Sequence, residues 1–484
     1  MGMYDCIIIG AGISGTSLAF ELSKYMGNVL LLEKNNDVAD ETTKANSAII
    51  HAGYDPEPGT FMAKYNVEGN KIIPKICKDL DVHCKNIGSL VVAFDEQDRQ
   101  TIETIYQRGI QNGVPNMRIV EKEELHEMEP NLNACACAAL YAPTACIVNP
   151  WEFAIAYSEV AIQNGVQLHV SEAVVGIEKI ENGFIVTTEK ESYHTKTVVN
   201  AAGVSCDAIL KMVTTPDYKI VPNKGEYYLL DKTQGTLVNH VIFQCPSKEG
   251  KGVLVAPTVH GNLIVGPNSL NCDAGDYSTT AKGLDFVKTK ALKSIPTINF
   301  RENIRTFTGI RARREDHGDF VIGESNVKGF YQVAAMQSPG LSSASAIAID
   351  LVSKLQKRGL FTEKNKQAKT TRKVVRFKEM SHEERTAYIQ EHPAYGRIIC
   401  RCETISEGEI IDALHRSPVV PTIDAIKRRC NTGMGRCQGG FCGPRVQEII
   451  ARELHIKQED VLKDKKGSVV LLGRTKTKVN EYEK

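Results

Sequence analysis

Two groups of residues in this 484-residue chain have types and spacings suited to chemistry. The first is Gly10-Ala-Gly12-Ile-Ser-Gly15, with Glu33 eighteen residues beyond the last glycine. Gly10 permits a tight turn, Gly12 lets backbone approach a pyrophosphate, and Gly15 lets a helix and strand pack closely. Glu33 is placed to accept hydrogen bonds from a ribose diol. The second group is Cys400-Arg-Cys402 with Cys437-Gln-Gly-Gly-Phe-Cys442. Zinc sites favour CxxC knuckles, whereas four thiolates arranged as CxC and CxxxxC suit a [2Fe-2S] cluster.

The glycines carry this meaning only if the right elements flank them. Cys6 to Ile9 is a wholly apolar run fit for a buried parallel strand, Thr16 to Tyr25 reads as a helix, and Val29 to Leu32 is a second apolar strand ending in Glu33. Strand, glycines, helix, strand and acid therefore occur in order, as in a dinucleotide-binding βαβ unit. The helix N-terminus offers N–H groups and a positive dipole end to phosphates. Gly433-Met-Gly435 lies among the cysteines without such context, so one nucleotide fold is expected.

Composition sets the frame. Hydrophobic content of 42%, charge of 24% and a net charge of +1 belong to a soluble globular protein and give no field for nucleic acid. The length suits about two or three domains. No apolar run approaches the roughly 20 residues of a membrane span. The chain enters its first strand at once, so no signal peptide is expected. A cytoplasmic protein, at most peripheral on a membrane, is expected. Of fourteen cysteines, nine are scattered from Cys6 to Cys272 and five crowd between Cys400 and Cys442, which points to metal there. Cys430 is the extra thiol, read as a bystander.

Further along, Ile72 to Leu80 and Asp98 to Asn112 read as helices flanking a strand at Ser89 to Ala93. Phe153 to Asn164 reads as a helix, Val166 to Val170 as a strand, and Phe184 to Thr188 and His194 to Val199 as parts of a small sheet. From Ile220 to Pro267 the pattern alternates as in an antiparallel sheet. Ser338-Pro-Gly340 opens a helix running to about Gln356. Seven Lys/Arg and no acid lie between Lys364 and Lys378, a run expected to be solvated linker. The expected layout is an α/β Rossmann-type domain over 1–360 with a mainly antiparallel substrate lobe within 50–145 and 205–310. A basic linker over 361–395, a small helical cluster domain over 396–455 and a tail over 456–484 follow.

The fingerprint at 10–15, Glu33, Thr43 to His51, Val198 to Gly203, Gly309 to Arg311 and Gln337 to Ser342 together resemble the D-amino-acid oxidase-type FAD-dependent oxidoreductases over about residues 3–355. Ala45 to Tyr54, Lys224 to Tyr228 and Val265 to Pro267 are most similar to the FAD-dependent glycerol-3-phosphate and L-2-hydroxyglutarate dehydrogenases. The resemblance implies FAD, with Gly10, Gly12 and Gly15 at the pyrophosphate and Glu33 at the adenosine ribose. It places Thr43 and Ser47 along the phosphates and flavin edge, Val174 at the adenine, and Ala202 and Gly203 beside the ribityl chain. Gly340, Leu341 and Ser342 would aim N–H groups at the flavin pyrimidine. His51 is the candidate base, because imidazole titrates in the useful range. The alternative is a histidine that packs at, hydrogen-bonds or tethers the flavin. Arg311 is the candidate holder of a phosphate or carboxylate, with Lys224 and Tyr54 as secondary candidates. Arg313 and Arg314 are expected to pair with Glu315 and Asp316.

The cysteine segment, including Gly433 to Gly439, resembles the bacterioferritin-associated-ferredoxin-like [2Fe-2S] domain, with Cys400, Cys402, Cys437 and Cys442 as ligands. Helices are expected after caps at Ser406 and Thr422 and from Pro444. The combined expectation is a dehydrogenase for a small anionic secondary alcohol, best sn-glycerol 3-phosphate. Its electrons would leave through FAD and the cluster to a partner protein or a quinone route. An L-2-hydroxyglutarate or other 2-hydroxyacid dehydrogenase is the runner-up, an amino- or imino-acid dehydrogenase third, and a non-catalytic electron-transfer subunit the alternative of another class.

Overall fold

A computed structural model describes residues 2–246 and 252–473. Residues 474–484 of the expected tail lie outside the described residues. The chain divides into two compact units, 1–34 with 38–373, and 35–37 with 374–484.

The first unit is built on a six-stranded sheet. Strand β1 (Cys6–Ile9) lies at its centre, beside β2 (Val29–Leu32) on one side and Val198–Asn200 on the other, all parallel, with Ile7 opposite both Leu30 and Val198. Gln167–His169 extends the sheet beyond β2, and Phe330–Ala334 extends it beyond Val198–Asn200. Val321–Glu324 closes that edge antiparallel. Both faces of β1 and β2 are buried, which is why these strands are apolar at every position rather than at alternate ones. Helix α1 (Ile13–Ser23) begins three residues earlier than its apolar pattern suggests, directly out of the glycine turn. It packs against the helices Pro150–Gln163 and Gly340–Gln356.

The sequence expectation for His194 to Val199 needs correction. Ser192–Thr195 pairs with Gly183–Thr188 in a three-stranded antiparallel sheet begun by Val174–Ile180, whereas Val198–Asn200 joins the central sheet. The change shows in burial: Ser192–Thr195 alternates exposed and buried, while Val198–Asn200 is buried throughout. The helix expected at Ile72 to Leu80 runs over Phe61–Asp79 with Pro74 inside it, capped by Thr60, whose hydroxyl accepts from Ala63 N at 3.1 Å.

A nine-stranded sheet forms the other lobe. Its longest pair, Ile220–Leu230 with Asn303–Arg314, runs antiparallel and sets Asn223 opposite Arg311, Gly225 opposite Gly309 and Tyr227 opposite Phe307. All its pairings are antiparallel except that of Val241–Gln244 with Ser89–Ala93. The basic run contains one buried cation. Arg372 forms an ion pair with Glu159, and its Nη1 donates to the Leu80 carbonyl at 3.3 Å.

In the second unit, Ser406 and Glu409 form a capping box at the start of the helix Glu407–His415. Thr422 caps Ile423–Cys430, and Gly443–Glu453 carries Pro444 in its first turn. A further helix, His382–Glu391, lies within the stretch expected as linker, where Phe377 and Tyr395 are also buried. Asp37 belongs to this unit by its contacts. Its buried carboxylate takes a two-pronged pair from Arg429, 2.8 Å at each oxygen, and a third bond of 3.0 Å from Arg428. Burial opposes ionisation of Asp37, but the two guanidinium groups outweigh it and hold the carboxyl below the usual range.

Candidate functional site

The turn between β1 and α1 has no space for side chains at two of its glycines. Gly10 sits at φ +102°, and a Cβ there would lie 2.6 Å from the Ala201 carbonyl oxygen. A Cβ on Gly15 would lie 1.8 Å from the Gly10 oxygen, so the helix rests directly on the turn. Gly12 leads into α1, and Thr43 Oγ1 accepts from the buried N–H of Ile13 at 3.0 Å. Glu33 is buried and accepts from Ala11 N at 2.8 Å, which fixes its carboxylate at the end of β2.

Gly10, Gly12, Glu33 and Thr43 wall a cavity of about 380 Å3, within the range of small-molecule sites. Its lining includes Gly12, Glu33, Thr43, Ser47, His51, Val174, Ala202, Gly203, Arg311, Gly340 and Leu341. Gly15 and Ser342 do not line it. Ser342 is fully buried, and its Oγ accepts from His51 N at 2.8 Å. Gly340 N–H is donated to the Gln337 carbonyl, which leaves Leu341 and Ser342 as the helix-end donors. The cavity walls fit FAD: a glycine turn at the N-terminus of α1, a buried acid at the end of β2, and the N-terminus of the helix Gly340–Gln356 all line one space.

Arg311 enters from the nine-stranded sheet. Its Nη1 donates to Asn223 Oδ1 at 2.8 Å and its Nη2 to the Asn268 carbonyl at 3.3 Å. Gly225 makes room for it, since a Cβ there would lie 2.5 Å from Nη2. Tyr227 lines the same cavity, stacks on Phe307 at 4.7 Å, and shares a 3.2 Å hydrogen bond with Ser47 Oγ. Sequence reasoning missed Asn223, Asn268 and Tyr227. The strand alternation held the signal for two of them, because Asn223, Gly225 and Tyr227 share one face.

The secondary candidates point elsewhere. Lys224 is on the opposite face of its strand, buried, and paired with Asp276 at 2.7 Å. The ion pair's hydrogen bond raises the Lys224 pKa and, with Ser278, lowers that of Asp276 to about 2. Tyr54 is buried with its hydroxyl 3.5 Å from Ser89 Oγ, and burial raises its pKa. Arg314 pairs with Asp316 as expected, but Glu315 pairs with Lys219, and Arg313 reaches Asn271 at 3.5 Å instead.

In the second unit, the four motif cysteines stand as two thiol pairs. Cys402 and Cys437 are exposed with sulfurs 3.6 Å apart, and Cys400 and Cys442 are buried and hydrogen-bonded. The bond from Cys442 and another from Gly433 N–H, 3.5 Å away, lower the Cys400 pKa toward a thiolate. No three His, Cys, Asp or Glu side chains among the described residues close around a single ion. Two pairs of thiols fit a two-iron cluster better than one zinc. Cys430 stands apart, its Sγ 3.3 Å from the Ile426 carbonyl and its pKa pushed up to about 12 by burial.

The chain belongs to the FAD-dependent oxidoreductase family, which matches residues 5–353. A BFD-like [2Fe-2S] binding domain matches residues 398–452. The protein is thus an oxidoreductase that carries FAD and a [2Fe-2S] cluster. It is 49% identical to a glycerol 3-phosphate dehydrogenase of Caloramator mitchellensis, over 99% of this chain and all of that one. An L-2-hydroxyglutarate dehydrogenase of Escherichia coli is 30% identical over 55% of this chain and 64% of its own length. Among solved structures, the FAD-bound L-α-glycerophosphate oxidase of Mycoplasma pneumoniae has a TM-score of 0.73 at 30% identity, covering 78% of this chain and all of that one. No helix among the described residues is long and apolar enough to cross a membrane.

Proposed function

We propose that the chain oxidises sn-glycerol 3-phosphate to dihydroxyacetone phosphate and delivers the electrons, through its cluster, to a partner protein or a quinone route. The observation that carries this reading is the whole-length identity to a glycerol 3-phosphate dehydrogenase, which extends through both the flavin and cluster regions. The hydroxyglutarate enzyme matches over little more than half the chain, which makes the 2-hydroxyacid reading second.

The flavin supplies the hydride acceptor. Arg311 then holds the phosphate. Two of its donors are fixed by Asn223 and Asn268, so the fork has a set orientation, and its remaining N–H groups are available for phosphate oxygens. His51, which lines the same cavity, takes the hydroxyl proton as the carbinol carbon loses hydride. Its backbone is fixed from both sides, by Ser342 Oγ on its N–H and by Asn66 Nδ2 on its carbonyl at 2.6 Å. Gly10, Gly12, Gly15, Glu33, Thr43, Ser47, Val174, Ala202 and Gly203 serve the cofactor, and Cys400, Cys402, Cys437 and Cys442 the cluster.

An anaerobic absorbance titration tests this. Glycerol 3-phosphate should bleach the flavin band and then the cluster band, and L-2-hydroxyglutarate should bleach neither. Bleaching by hydroxyglutarate alone would transfer the protein to the second reading. Bleaching by neither, with dithionite still reducing both centres, would favour a non-catalytic electron-transfer subunit.

A further inference from the structure

His51 lines two cavities. Besides the large one it borders a smaller space of about 60 Å3, which it shares with Asn66, Asp55, Tyr54, Phe243 and Gln244. Ser338 and Pro339 also wall both, so the two spaces meet at His51.

Asn66, one of the residues that line the small cavity, carries an unbalanced polar group. Asn66 is 1% exposed; its Nδ2 donates to the His51 carbonyl, but its Oδ1 has no hydrogen-bond partner. A buried amide oxygen without a donor is rare, because its lost hydration is not replaced, and the usual remedy is an ordered water. The volume is ample for one, since a single water needs only about 10–15 Å3 of such space. Apolar cavities stay dry, but this one also has Asp55 and Gln244 in its wall.

We propose that this cavity holds ordered water bound to Asn66 Oδ1, and that the water carries the proton away from His51. The inference rests on the reading of His51 as the base. In substrate oxidation the alcohol O–H breaks and its proton goes to the imidazole, while the C–H pair leaves as hydride to the flavin. One proton must then leave His51 in each turnover. Water beside Asn66 takes it and passes it to the Asp55 side of the cavity and to solvent, so that the base is regenerated without reopening the substrate side. No further oxidant or reductant is involved. Asn66 is a positioning residue here: it anchors the water and touches neither substrate nor cofactor.

Two measurements test this. A crystal structure of the holoenzyme should show water within hydrogen-bonding distance of Asn66 Oδ1, and a dry cavity would overturn the proposal whatever His51 does. In anaerobic stopped-flow with glycerol 3-phosphate, flavin bleaching reports electrons and a pH-indicator dye reports the released proton. The two should coincide in the wild type. In Asn66→Leu and Asp55→Asn, proton release should lag bleaching by about five-fold or more. Coincident traces in both variants would overturn the relay. If His51→Gln leaves the bleaching rate unchanged, the base assignment fails and the relay with it, while the water site is still judged by the crystal structure.

Discussion

Asn223 Oδ1 accepts a 2.8 Å hydrogen bond from Arg311 Nη1, across paired strands and 88 residues of sequence. The same oxygen accepts from Ser269 Oγ at 3.1 Å, and Asn223 Nδ2 donates to Asn271 at 3.2 Å. The asparagine is therefore held by two further hydrogen bonds while it holds the arginine.

Asn223→Ala should free the guanidinium to swing. A hydrogen bond to a charged group contributes about 1.5–3 kcal/mol, so KM for glycerol 3-phosphate should rise about ten-fold or more, with kcat changed much less. Steady-state kinetics separate the two. An equal fall in kcat would show that Arg311 acts on the reacting carbon rather than on the phosphate.

Gly15→Ala should cost the flavin. Its methyl group would overlap the Gly10 oxygen, so either the helix shifts or the turn opens, and in both cases the cradle is lost. The purified variant should show little flavin absorbance and a lower Tm. Full occupancy would mean that α1 yields without disturbing the turn.

The cysteines should divide sharply. Cys437→Ser removes one of the exposed pair and should abolish the electron paramagnetic resonance signal of the reduced cluster. Cys430→Ala should keep both signal and iron content, because that thiol is buried, bonded to a carbonyl and held protonated.

The Lys224–Asp276 pair sets a pH dependence. The Asp276 pKa is about 2 in the folded protein and about 4 in the unfolded chain. The folded value is the lower one, so its contribution to stability is complete above about pH 4 and fades as pH falls toward 2. Lys224, raised above its ordinary value, contributes below about pH 10 and loses its contribution as pH rises through the folded value. The Tm difference between wild type and Asp276→Asn should be flat through neutral pH and shrink below about pH 4. A constant difference down to pH 3 would show that the pair is not what Asp276 contributes.

The sequence made the cofactor end legible because its code is local. Apolar strands, glycines that admit no Cβ and an acid at the end of β2 all fall within Cys6 to Glu33. The caps at Ser406 and Thr422 were legible for the same reason. The surroundings of Arg311 were less so. Arg311 drew notice as a cation, but its partners Asn223 and Asn268 depend on strand register, which no short window contains. Lys224 illustrates the same limit: one step along a strand reverses the face, and only the pairing of Lys224 with Asp276 shows which way it points. Where Ser192–Thr195 gives way to Val198–Asn200, two strands of different sheets are separated by only two residues, too short a break for composition to mark.

Three residues that follow β2 belong to the cluster-bearing unit, and one of them is Asp37. The unit is thus not a portable cassette. A gene fragment starting at Val374 would encode all four cysteines yet omit the carboxylate shared by Arg428 and Arg429; Arg428 would keep Asp464 at 3.3 Å, while buried Arg429 would lose its two-pronged pair. Removing one partner of such a buried pair typically costs about 3–5 kcal/mol. Asp37→Asn in the full chain should therefore lower the Tm of the cluster-bearing unit while the flavin absorbance stays intact. Transplanting that unit onto another flavoenzyme would require moving a short piece of the donor's N-terminal loop as well, a discontinuous graft that no cut at a single point in the sequence supplies.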